Sequence, residues 1–221
     1  MTPAELFARA HAVLVDLDGT LVDSTAPVRR AWAGFAARHG LDHETVHRFG
    51  QGRPSRETIR LLAPHADHDA EAAAVEHAEV HDTRGVVPLP GALKLLASDD
   101  RPLAIVTSCS TALAEARLRA AGLPIPPMLV SSDGLTRGKP DPTCFLLAAR
   151  RLGVDPARCV VLEDAPAGVQ AGRAAGATVI AVRTTHTDRE LREAHAIVDD
   201  LASVVGDGVR SKGARPMPAR D

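Results

Sequence analysis

Short apolar runs alternate with amphipathic stretches along most of this chain, and that alternation restricts the fold more than any other feature. The runs are AVLVD (12–16), LAIVT (103–107), MLVSS (128–132), CVVLED (159–164), TVIAV (178–182) and AIVDD (196–200). Each reads as a buried strand that opens into a loop. Between them lie helical patterns. GALKLLAS (91–98) has apolar residues at helical spacing. TALAEARLRAAG (111–122) begins with Thr and ends with Gly, and DPTCFLLAARRLG (141–153) begins with Asp-Pro and ends with Gly, which are start and stop signals for helices. APAGVQAGRAAG (165–176) is a further short helix. Strands alternating with helices predict an α/β fold with a Rossmann-like parallel sheet covered on both faces.

One stretch breaks the rhythm. Residues 24–87 read as consecutive helices without a convincing strand: APVRRAWAGFAARHG (26–40), PSRETIRLLAP (54–64) and DHDAEAAAVEHAEVHD (67–82). Such an insert between the first and second strands is expected to form an all-helical cap domain over the mouth of the sheet, with hinges near Asp23–Ser24 and Val87–Gly91. Residues 1–23 and 88–205 then make the core. The polar tail GDGVRSKGARPMPARD, 206–221, is expected to be disordered.

Composition excludes several classes. Lys plus Arg number 26 against 28 Asp plus Glu, a formal charge of −2, so nothing attracts nucleic acid or an anionic membrane in general. Three cysteines, Cys109, Cys144 and Cys159, without a close pair argue against a disulfide framework and a structural zinc site. The start lacks a charged segment followed by a long apolar one, and no apolar run approaches the ~20 residues that span a bilayer. The expectation is a cytoplasmic protein, a monomer or weak homo-oligomer, whose partner is a small molecule rather than nucleic acid or a membrane.

In an open parallel sheet, ligands bind beyond the carboxyl ends of the strands. The polar residues predicted there are Asp16, Asp18, Thr107, Ser108, Glu163 and Asp164, and the RGKPDP loop adds Lys139. Four carboxylates, two hydroxyls and one ammonium on one rim suit a hard cation and a phosphate. Asp16 and Asp18, two apart at a strand end, point to one side, with Leu17 turned away. An Asp can accept a phosphoryl group covalently. It needs help, because a carboxylate 4 Å from a phosphate repels it by about 4 kcal/mol per charge pair at an effective dielectric of ~20. Mg²⁺, which takes one or two carboxylates and phosphate oxygens, offsets that repulsion, and a nearby Lys adds to it. Asp18 is then placed to protonate the leaving oxygen and later to take a proton from water.

These residues carry a resemblance. DLDGTLVDS (16–24), VTS (106–108), GKPDP (138–142) and LEDAPAG (162–168) resemble, in order, the four motifs of the haloacid dehalogenase superfamily, over roughly residues 11–200. The helical insert lies where that family's type-one cap is found. The resemblance implies that Asp16 is the nucleophile and a magnesium ligand, and that Asp18 is the general acid/base, its backbone carbonyl a further ligand. It implies that Thr107 and Ser108 bind the transferring phosphoryl oxygens and that Lys139 balances charge. Asp164 is implied as a ligand, with Glu163 one directly or through water. Dehalogenases of the superfamily lack the second Asp, so Asp18 favours phosphoryl transfer. EDAPAG, PLPGA (88–92) and GRPSRETI (52–59) are similar to the branch of sugar phosphatases, glycerol-3-phosphatases and 2-deoxyglucose-6-phosphatases.

Two rival functions stand beside this one. Phosphosugar mutases similar to β-phosphoglucomutase carry a His where Val28 aligns and tend to have Ser where Gly138 precedes Lys139, so both departures favour a phosphatase. A catalytically silent phosphate-binding protein would be free to lose one of Asp16, Asp18, Lys139 and Asp164, yet all four are present. In the cap, Arg53 and Arg56 are candidates for holding substrate oxygens. His65, His68, His77 and His81 offer one i, i+4 pair, His77 and His81, with nothing to complete a metal site. Cys109 is expected to be a packed thiol, and Trp32 and Phe35 to pack the cap.

Overall fold

The computed structural model describes residues 1–50, 55–98 and 101–205. Among these residues eight strands appear: β1 (Ala12–Val15), β2 (Val22–Asp23), β3 (Val87–Pro88), β4 (Leu103–Val106), β5 (Leu129–Val130), β6 (Cys159–Glu163), β7 (Thr178–Val182) and β8 (Ala196–Val198). Ten α-helices accompany them: α1 (Pro3–Arg9), α2 (Thr25–Arg38), α3 (His43–Gly50), α4 (Ser55–Leu62), α5 (His68–His81), α6 (Ala92–Ser98), α7 (Thr111–Ala120), α8 (Thr143–Leu152), α9 (Pro166–Ala174) and α10 (Ala202–Val205). All six strands read from the sequence are present, each within its run.

Those six strands form one sheet in the order β5-β4-β1-β6-β7-β8, every pair parallel. Numbered among themselves, they run 3-2-1-4-5-6, the arrangement of a doubly wound sheet. The chain builds outward from β1 on one side, then crosses back to β6 on the other. The crevice at that reversal, between the carboxyl ends of β1 and β6, is where a ligand site is expected.

Side-chain alternation explains why the strands are apolar throughout. Val13, Val15, Ile105, Val160, Leu162 and Ile180 face one cluster, which α1, α6, α7 and α10 cover with Phe7, Leu95, Leu118 and Val204. Ala12, Leu14, Ala104, Val161 and Val179 face the other, which α8 and α9 cover with Phe145, Ala148 and Val169. Each fully buried Leu, Ile, Val or Phe contributes about 1.5–3 kcal/mol.

Helices α2 to α5 form a third cluster of their own. Trp32 and Phe35 meet edge to face at 5.5 Å, with Val46, Ile59 and Val75 around them and Val28 packed against the group. The segment leaves and rejoins the core through β2 and β3, which pair antiparallel. The sequence pattern did not reveal that two-residue ribbon. It also missed α3, whose first turn is capped by the Asp42 carboxylate accepting the Thr45 N–H at 2.8 Å, and the short helices α1 and α10. Among the described residues no helix is long and apolar enough to cross a membrane. The tail 206–221 and Arg53 lie outside the described residues.

Candidate active site

The carboxyl edge of the sheet gathers the acidic residues at the β1–β6 crevice. Asp16 follows β1 directly, and its N–H donates to Leu162 O at 2.9 Å, which holds it in line with β6. The chain then turns back. The N–H groups of Leu21 and Val22 donate to Leu17 O at 2.8 and 3.0 Å, and Gly19 N–H to Val22 O at 2.8 Å. Gly19 is required twice over. Its φ is +83°, and a Cβ there would sit 2.2 Å from Asp164 Oδ2.

Lys139, between β5 and α8, reaches across the strand ends. Its Nζ donates to Asp16 Oδ1 at 2.6 Å, Glu163 Oε1 at 2.7 Å and Val106 O at 3.0 Å. An ammonium has three protons, and this geometry uses all of them. Burial works against the charge, but the Asp16 and Glu163 carboxylates outweigh it and hold the Lys139 pKa above the ordinary lysine value.

Glu163 closes β6 and is 1 % exposed. Its second oxygen accepts the N–H groups of Asp164 and Ala165, both at 2.8 Å, at the entrance to α9. Both oxygens are therefore engaged, one as the anchor of Lys139 and one as a cap on backbone donors. Gly168 makes room for it: a Cβ there would lie 1.7 Å from Glu163 Oε1. Asp164 stands beside it, one oxygen accepting from Thr20 Oγ1 at 3.3 Å and the other from Thr185 Oγ1.

Three buried carboxylates, Asp16, Glu163 and Asp164, thus present oxygens within 4.8 Å of one another, and among the described residues Lys139 is the one ammonium paired with them. Burial pushes the Asp16 carboxyl well above its usual range, and the Glu163 and Asp164 charges add to the push against Lys139. Burial and the Glu163 charge raise Asp164 to about 7. Carboxylates so placed lack positive charge, and a divalent cation supplies what one ammonium does not. The all-oxygen donor set suits a hard ion of the Mg²⁺ type rather than a thiophilic one.

Asp18 is not one of this trio and is held by other partners. One oxygen accepts from Ser24 Oγ at 2.7 Å, the other from Arg117 Nη1 at 2.6 Å. Thr107 follows β4 and is buried, its hydroxyl accepting the Cys109 N–H at 3.2 Å. Ser108 beside it is exposed. Burial pushes the Cys109 thiol up to about 12, which suits a packed thiol rather than a nucleophile.

Of the predicted residues, Asp16, Lys139, Glu163 and Asp164 are brought into direct or near contact, with Thr107 and Asp18 on the same rim. Arg56 is not: on the first turn of α4, it forms an exposed ion pair with Asp69 of α5. His77 and His81 stack at 4.0 Å, and among the described residues the acidic trio is the one cluster with metal-ligand geometry. The sequence pattern gives Thr20, Thr185 and Arg117 no role, and Ser24 only a place at the hinge of the insert. Thr20 stands inside DLDGT, and Thr185 follows β7 on the same edge as the other site residues, so position alone pointed to both.

A family model described as haloacid dehalogenase-like hydrolase matches residues 10–176. The chain is 44% identical over 202 residues to hexitol phosphatase A of Escherichia coli (strain K12), covering 89% of this chain and 94% of that one. It is 34% identical over 187 residues to fructose-1-phosphate phosphatase YqaB of the same organism, covering 80% and 99%. Among solved structures, CbbY from Rhodobacter sphaeroides in complex with phosphate superposes with a TM-score of 0.77 at 28% identity, covering 87% of this chain and 95% of that one.

Proposed function

The chain belongs to the haloacid dehalogenase-like hydrolases, and on that premise we propose that it is a magnesium-dependent phosphatase of a small sugar or polyol phosphate. The observation that carries the proposal is the buried Asp16–Lys139–Glu163 ion-pair chain beside Asp164, at the reversal of a doubly wound sheet. The substrate class follows from relatives named for hexitol phosphates and fructose 1-phosphate.

In this mechanism an Asp16 oxygen attacks phosphorus, the ester P–O bond breaks, and an acyl phosphate forms on Asp16. Lys139 works against the burial that raises the Asp16 carboxyl and aims its oxygen, because its Nζ is fixed on Glu163 and Val106 O. Thr107 and Ser108 donate to the transferring oxygens. Asp18 gives a proton to the leaving alkoxide, then removes one from the water that hydrolyses phospho-Asp16. Asp16, Asp164 and the Asp18 carbonyl would hold Mg²⁺, with Glu163 behind them. Bound there, the ion neutralises charge shared by the carboxylates and the phosphoryl group. The insert of residues 24–87 serves as a lid that excludes water during transfer, hinged where β2 and β3 join it to the core. Val28, at the place of the mutase His, packs against the insert's own apolar cluster and has no proton to offer a sugar hydroxyl.

Phosphate release from a panel of hexitol, hexose, polyol and glycolate phosphates, with Mg²⁺ and with EDTA, tests the function. Metal-dependent release, strongest on hexitol or hexose phosphates, is the expected result. Release from the glycolate ester alone would keep the chemistry and move the substrate. No release, with β-glucose 1-phosphate isomerised when a bisphosphate primer is supplied, would replace hydrolysis by a mutase reaction.

Metal binding is expected to depend on pH with a defined sign. The raised Asp164 carboxyl holds its proton below about pH 7, so a cation competes with that proton there. Without metal, the stability linked to this proton is complete below about pH 4 and is lost as pH rises toward 7. The gain in melting temperature on adding Mg²⁺ should therefore grow from pH 5 to pH 8. A gain independent of pH would show that Asp164 does not share its site with the ion.

A further inference from the structure

Arg117 is a second buried cation that the mechanism above does not use. It sits on α7, in the core, and is 4 % exposed. Its fork joins three parts of the molecule. Nη1 donates to Asp18 Oδ2 at 2.6 Å, and Nη2 donates to Glu79 Oε2 at 2.9 Å. Glu79 lies on α5, a helix of the insert that packs against α7, and is itself buried. The remaining oxygen of Asp18 is held at 2.7 Å by Ser24, the residue that leads into the insert's first helix. Both oxygens of Asp18 are thus oriented by groups tied to the insert. A guanidinium is planar and its two arms do not move independently, so a shift of Glu79 is felt at Asp18.

We propose that Arg117 is the positioning residue of Asp18, and that Glu79 makes this positioning conditional on the helical insert being seated on the core. The inference rests on the phosphatase function for the role of Asp18. When α5 lies against α7, both arms of the fork are occupied and the Asp18 carboxylate has one orientation. When the insert swings away, Glu79 leaves, Arg117 regains its rotamers and Asp18 loses its second support. Proton transfer is then confined to the closed enzyme.

The test uses Arg117→Lys, Glu79→Ala, Glu79→Gln and the double variant Arg117→Lys/Glu79→Ala, each read in two ways. The first is kcat and KM on an alkyl phosphate, whose leaving alkoxide needs a proton, and on an aryl phosphate, whose acidic phenol does not. For Arg117→Lys, kcat on the alkyl ester is expected to fall about 100-fold, the scale of a misplaced catalytic group. KM should stay within about twofold, because ground-state binding is untouched. The first-turnover burst on the aryl ester should fall far less. Glu79→Ala should act in the same direction, Glu79→Gln should restore part of the loss by accepting from Nη2, and the double variant should be no worse than Arg117→Lys. The second measurement is hydrogen exchange, in which Glu79→Ala is expected to loosen residues 16–24 together with α5. Equal losses on both esters, multiplying effects of the two substitutions, or unchanged exchange at residues 16–24 would overturn the proposal. Wild-type protein inert on both esters would instead refute the phosphatase function, and the exchange result would still decide the coupling.

Discussion

Asp16→Asn is expected to lower turnover of every phosphate ester by about 10⁴-fold or more, the scale of losing a nucleophile. The amide cannot form a stable acyl phosphate, and no other described carboxylate stands where it could. Asp164 is bound by Thr20 and Thr185, and Glu163 by Lys139 and two backbone N–H groups. Fold should survive. Asn matches Asp in shape, its carbonyl still accepts from Lys139, and one of three crowded buried charges is gone. Burial and two neighbouring carboxylates raise the Asp16 carboxyl, so the charged form opposes folding in the absence of metal. The metal-free variant should melt at or above the wild-type temperature. A steady-state assay beside a thermal melt in EDTA checks both halves, and a variant that retains turnover excludes Asp16 as nucleophile.

Gly168→Ala carries the second large effect, and it acts from outside the reacting atoms. The new methyl would lie 1.7 Å from Glu163 Oε1, so the Glu163 side chain must leave its place. With it go the anchor of Lys139 and the acceptor for Asp164 and Ala165 N–H. Overpacking of this kind costs about 1–3 kcal/mol. For a chain of this size that is a fall of about 2–12 °C in melting temperature. A displaced Lys139 should also lower kcat about 100-fold. Gly34→Ala gives the contrast. On α2 its methyl meets Arg38 Nη1 at an ordinary 3.6 Å, and a helical Gly→Ala exchange stabilises by about 0.5–1 kcal/mol. If Gly168→Ala melted like Gly34→Ala and kept its rate, Glu163 would have no part in holding Lys139.

Much of this arrangement was legible in the residues themselves. Apolar runs ending in Asp, Thr or Glu-Asp marked both the strands and the rim. The strand order was not written there, because β1, β4, β6 and β7 are apolar on both faces and their runs carry no sign of their neighbours. The missed elements fail for local reasons. Helix α1 is only seven residues long, though Thr2 and Glu5 form a reciprocal capping box that announces it. Helix α3 has a single buried apolar residue, Val46. Strands β2 and β3 are two residues each, and long-range pairing alone defines them.

The site divides in the same way. Asp16, Lys139 and Asp164 were identified by type and position, whereas the direction of Glu163 depended on space that Gly168 leaves. Arg117 had a signal that periodicity could have raised. It falls on the stripe of α7 that also carries Leu113, Ala114 and Leu118, all buried. A charge in an apolar stripe needs a partner. The partners, Asp18 and Glu79, are 99 and 38 residues away, and no local pattern names them.

The most direct measurement is chemical trapping of phospho-Asp16. Wild-type protein is mixed with Mg²⁺ and a hexitol phosphate, quenched in acid during turnover, reduced with borohydride and digested for mass spectrometry. An acyl phosphate is reduced to the alcohol, so the account predicts homoserine at position 16 in the substrate-treated sample and nowhere else. Phosphate release that proceeds without any such conversion, or with the label on another carboxylate, would contradict it.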